Sequence, residues 1–115
     1  MPQPVKKKHE EAVLAKLREL CLALPEVREV KTWGHPTFKV KNKSFAVLEE
    51  YKGHLCICFE ATLALQQLLI EDARFFPSPY IGKQGWTSLI ADTRPNWKEV
   101  RQLIKESHAL VNKSK

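Results

Sequence analysis

An α+β domain is the fold this sequence predicts, on three observations. Apolar residues recur at helical spacing near both ends, over 9–24 and 97–111, and again in a short central stretch, 62–71. Three strand-length segments, 37–41, 44–51 and 54–60, follow one another across the short turns Asn42-Lys43 and Lys52-Gly53. The stretch FFPSPYIGKQGWTSL, residues 75–89, gathers prolines, glycines and rings, and reads as an extended approach, a tight turn and a strand entering the core. Helices at the N-terminus, centre and C-terminus around an antiparallel β-sheet meander make an α+β domain.

In chain order, Val13, Leu17, Leu20 and Leu24 form the apolar stripe of the first helix, widened by Leu14 and Cys21. Pro25 stops that helix at or near Leu24. Residues 26–31 alternate charge with Val27 and Val30, as a short strand or an extended linker would. Thr32-Trp33-Gly34-His35-Pro36 is a second cluster of special residues and leads into the 37–41 strand. In the 54–60 strand His54, Cys56 and Cys58 share one face, while Leu55, Ile57 and Phe59 fill the other. The 62–71 helix is apolar on most sides, which predicts substantial burial. Trp86 to Ala91 is the last strand, and Asp92-Thr93-Arg94-Pro95 starts the last helix with proline in its first turn.

At 115 residues the chain is expected to be a single domain, 1–115, with residues 1–8 and 112–115 as flexible tails. No apolar run approaches the ~20 residues of a membrane span, and no secretory leader is evident, so a cytoplasmic location away from membranes is expected. Three cysteines without a disulfide-domain pattern fit free thiols in a reducing compartment. The formal charge is +6, but Lys6, Lys7, Lys8, Lys113 and Lys115 lie in the expected tails. The other 14 of 19 basic residues face 13 acidic ones, so the folded body is nearly neutral.

WGHPTF at 33–38, PYIGKQGW at 79–86 and the closing W..V..L at 97–103 together resemble the MmcQ/YjbR family over nearly the whole chain. The resemblance implies a small fold likened to frataxin (CyaY) and to double-wing DNA-binding domains, and family members are commonly labelled DNA-binding on that ground. Glu60-Ala61 departs from the Asp-Pro helix start of many relatives, which bears on capping.

Two sites are expected. Lys39, Lys41, Lys43, Lys52 and Lys83 sit on or beside turns, where long cationic stems reach the phosphates of double-stranded DNA without reading sequence. Lysines at hairpin tips also simply keep strands soluble and unpaired. The alternative site is a cleft of Trp33, His35, Tyr80, Lys83 and Trp86, with Arg74 as an anion contact, for binding an unidentified small molecule or for a minor enzyme activity on one. Against it, Trp33 and Trp86 suit a core, His35 suits a hydrogen bond that fixes its turn, and Arg74 suits a pair with Asp72 or Glu71. His54, Cys56 and Cys58 match no structural-zinc spacing, so no metal and no cofactor is assigned. Without a phosphate loop, paired-carboxylate spacing or nucleophile elbow, no catalytic residue is assigned either, and the chain reads as a binding protein more than an enzyme.

Overall fold

The computed structural model describes residues 5–79 and 81–113. The elements are α1 (Val5–Leu22), β1 (Arg28–Thr32), β2 (His35–Val40), β3 (Lys43–Tyr51), β4 (His54–Glu60), α2 (Leu63–Leu69), β5 (Phe75–Pro77), β6 (Trp86–Ile90) and α3 (Trp97–Lys113), with a 3₁₀ turn at Gly82–Gln84. All six strands join one antiparallel sheet in the order β1-β2-β3-β4-β6-β5. The fold is therefore the α+β arrangement that the alternation of helical and strand periods implies.

The first four strands form a meander because three two-residue turns carry positive φ at both central positions: Trp33 (54°) and Gly34 (80°), Lys41 (51°) and Asn42 (64°), Lys52 (50°) and Gly53 (83°). That backbone matches the right-handed twist of the flanking strands. A bulge near Phe38 and Lys39 leaves Phe45 unpaired on β3, since Phe38 faces Ala46 and Lys39 faces Ser44. Ser107 of α3 anchors this irregularity, donating to the Phe45 carbonyl (2.8 Å) and accepting from the Glu60 amide (3.0 Å).

Both long helices lie on one face of the sheet. Val13, Leu17 and Cys21 of α1 and Val100, Ile104 and Val111 of α3 bury against Phe38, Phe45, Ile57 and Phe59. Cys21 is the small core residue its position on the stripe suggests.

Several boundaries differ from expectation, each for a local reason. The first helix ends at Leu22 rather than Leu24, because the residue before Pro25 is pushed out of helical ψ. Residues 28–32 form a full edge strand. Pro95 stands before the last helix rather than in its first turn, since the Asn96 side chain caps it by accepting from the Lys98 and Glu99 amides at 3.1 and 3.2 Å. The short central helix is less buried than its composition suggested. Leu63 and Leu68 are exposed, and within it only Gln66 is buried. No described helix is long and apolar enough to cross a membrane.

Candidate functional site

The two faces of the sheet have different fates. On β4, Leu55, Ile57 and Phe59 enter the helix-covered core, while Cys56 and Cys58 point to the other face. Among the described residues, no helical side chain joins the cluster on that face. The register sets Val47 and Ser88 on either side of Cys58, and Glu49 and Ile90 on either side of Cys56. Tyr51 of β3 and Phe76 of β5 come from strands three positions apart, yet their rings approach to 5.9 Å over these short thiols. The cysteines are thus small residues beneath a second layer. Burial pushes both thiols up, Cys56 to about 12, so each is a neutral packing group at physiological pH.

The connection between β5 and β6 covers part of this face. Ser78 returns a backbone hydrogen bond to the Trp86 carbonyl (2.9 Å), and its hydroxyl meets that of Ser88 at 2.9 Å. Buried Gln66 donates to the carbonyls of Gly82 (2.8 Å) and Trp86 (2.9 Å), tying the connection to α2. The rest of the face stays open as a cleft of about 410 Å³, within the size range of small-molecule sites. Trp33 and His35 of the first hairpin form one wall, and Pro79, Ile81 and Trp86 form the other. Ser44, Val47, Glu49 and Cys58 make the floor, with Glu50 and Tyr51 at one end.

Trp33 overturns the expectation that both tryptophans are core residues. It is 92% exposed, whereas Trp86 is 8% exposed. The two-residue turn aims the Trp33 indole outward past the sheet, and a β-carbon in that left-handed backbone costs about 1–2 kcal/mol. His35 is half-buried as the first residue of β2, and its carbonyl accepts from Thr37 Oγ1 at 3.0 Å. Its ring makes no hydrogen bond among the described residues, so the turn is fixed by backbone geometry and not by the imidazole. The half-buried Glu49 carboxylate accepts a weak bond from the Cys58 thiol at 3.5 Å.

The cleft thus brings together Trp33, His35 and Trp86 of the expected set. Tyr80 lies outside the described residues. Lys83 sits on the 3₁₀ turn and does not line the cleft. Arg74 is elsewhere, gripped by Asp72 (2.7 Å) and Glu99 (2.8 Å), and these two acids hold its guanidinium above its ordinary pKa. It pins the turn before β5 to α3 and does not line the cleft. His54 is drawn away from the cysteines to Asp92 (2.5 Å). No three His, Cys, Asp or Glu side chains gather to hold a metal among the described residues.

The five expected lysines do not form one ridge. Lys41 and Lys43 occupy the β2–β3 turn, and Lys52 occupies the β3–β4 turn at the opposite end of β3, a nine-residue strand. At ~3.3 Å per residue these ends are roughly 26 Å apart. Lys83 shares the Lys43 end, but Glu60 at the end of β4 stands between their strands. Burial raises the Glu60 pKa and Lys43 opposes the rise, so the two side chains sense each other. Lys39 lies on β2 directly across from Arg28, close to the same turn.

Glu49 and Tyr51 were not expected in a site, and Cys58 was weighed only as a metal ligand beside His54 and Cys56. Their strands read as ordinary alternation, and only the non-local placement of β6 beside β4 puts the wall of Pro79 and Ile81 above them.

A family model described as YjbR matches residues 22–110. The crystal structure of the Deinococcus radiodurans protein DR2400, with a DUF419 domain, is similar at a TM-score of 0.76 and 20% identity, over 88% of this chain and 79% of that one. A Pseudomonas syringae protein is similar at a TM-score of 0.72 and 15% identity, over 84% of this chain and 96% of that one. At these identities the likeness is one of fold. No curated protein sequence matches the chain.

Proposed function

The chain belongs to the YjbR family, and from that premise we propose that it is a small-molecule-binding protein whose ligand occupies the cleft on the Cys58 face of the sheet. One observation carries this reading: a tryptophan held at φ 54°, 92% exposed, on the rim of that cleft. Packing does not favour that placement, and backbone energy opposes it. A ring presented at a cavity mouth gains its contacts when a ligand arrives. The buried, un-ionised thiols support a reducing, cytoplasmic setting for the protein.

The test follows the indole N–H signals of the three tryptophans by NMR while benzyl alcohol is added. Trp33 and Trp86 line the cleft, whereas Trp97 packs on the helix side and serves as an internal reference. Selective movement of the first two is expected. Equal movement of all three, or of none, would overturn the proposal.

A second reading rests on a different place. Arg28, Lys39, Lys41 and Lys43 gather at the β2–β3 end, with Arg28 bonded to Asn42. This compact basic end suits weak, sequence-independent contact with duplex DNA. Neutralising Lys41 and Lys43 is then expected to flatten the salt dependence of binding by about two units of log–log slope. Neutralising Lys52 and Lys83 is expected to cost less. Equal effects of the two pairs, or no binding at low salt, would remove the reading.

A further inference from the structure

We infer that the ligand of this cleft is an organic cation, an aromatic or apolar body carrying a protonated amine or a guanidinium. The inference rests on the binding reading above and narrows it to a chemical class.

The cleft offers ring faces and negative charge together. Trp33, Tyr51 and Trp86 supply rings, and Glu49 supplies a carboxylate. No lysine or arginine lines it among the described residues. Glu49 decides the sign. Its carboxylate is half-buried on an otherwise mostly apolar floor, and the hydrogen bond it receives there comes from the Cys58 thiol at 3.5 Å, a weak donor. A ligand seated over the floor strips the remaining water from this carboxylate. A neutral ligand without donors leaves it desolvated, an anion adds like-charge repulsion, and an ammonium or guanidinium compensates it.

The rings favour the same class, because an aromatic face attracts a cation through its quadrupole. Lys52 Nζ already holds the Tyr51 face, 5.4 Å from its centre, which leaves the exposed Trp33 ring as the open face for a ligand cation. The wide groove between the Trp33 and Ile81 walls leaves room for the body of the ligand. Trp33, on its outward turn, is placed to close over it.

Benzylamine, benzyl alcohol and benzoate share one ring and carry +, 0 and − charge at neutral pH, so they test the class directly. Dissociation constants are read from the amide shifts of Glu49 and Cys58 at low salt. Benzylamine is expected to bind about tenfold more tightly than benzyl alcohol, and benzoate most weakly. Glu49→Gln is expected to bring benzylamine to within about twofold of benzyl alcohol, both measured in the variant. In the unaltered protein, raising the salt tenfold is expected to weaken benzylamine alone, which keeps the test decisive if the variant folds poorly. Equal affinities, or tightest binding by benzoate, would refute the cationic class while sparing the binding cleft. Binding by none of the three would remove both.

Discussion

Gly85→Ala is expected to destabilise the protein by roughly 3 kcal/mol or more in urea denaturation. Gly85 sits at φ 104°, and a β-carbon there would lie 2.0 Å from the Ala61 carbonyl oxygen. The obstacle is backbone, held by the hydrogen bond from the Ala61 amide to the Gly85 carbonyl (3.1 Å), so it cannot swing aside like a side chain. Relief requires moving the 3₁₀ turn away from β4. That breaks the Ala61 bond and strains those that Gln66 makes to Gly82 and Trp86, leaving buried carbonyls without partners. The same movement displaces Pro79 and Ile81, which form one wall of the cleft, so any folded variant should bind benzyl alcohol weakly.

Gly53→Ala separates collision from conformational strain. Gly53 also has positive φ, 83°, but nothing lies within 4 Å of its added β-carbon. Its substitution is expected to cost about 1 kcal/mol, the price of a left-handed backbone alone. If Gly85→Ala costs no more than Gly53→Ala, the close seating of that turn against β4 is wrong.

How far the sequence reveals this molecule depends on the range over which each feature is set. The β4 faces were legible because Leu55, Ile57 and Phe59 alternate with Cys56 and Cys58, and period-2 patterning is local. The Lys52-Gly53 hairpin was legible for the same reason, since its turn chemistry lies in adjacent residues. The exposure of Leu63 and Leu68 was not, because an all-round apolar helix gives no clue to which side a neighbour will leave open. Nor was the bulge at Phe45, whose carbonyl is satisfied by Ser107 from 62 residues away.

The site was half legible. Trp33, His35 and Trp86 stood out as unusual residues in special backbone segments, and they do converge. Glu49 and Tyr51 looked like ordinary strand residues, because their role depends on a wall delivered by the chain between β5 and β6. The lysines misled for a geometric reason. Successive turns of a meander alternate between opposite ends of the sheet, so Lys43 and Lys52, near in sequence, are a strand's length apart.

Trp33→Asn is expected to separate stability from binding. Asparagine tolerates the left-handed region, and Asn-Gly is the preferred pair for a two-residue hairpin turn. The indole buries almost nothing in the free protein, so little packing is lost with it. The variant should therefore gain about 0.5–1 kcal/mol. The probe, in contrast, loses the ring that closes over it, and benzyl alcohol affinity should fall about tenfold, the scale of one ring-to-ring contact with its buried area.

The most direct trial of the cleft as a functional site is that single variant measured twice, by urea denaturation and by benzyl alcohol titration. Opposite signs are expected, a more stable protein that binds the probe less well. A less stable protein with unchanged probe affinity would contradict the binding cleft, since Trp33 would then be an ordinary structural residue of its hairpin.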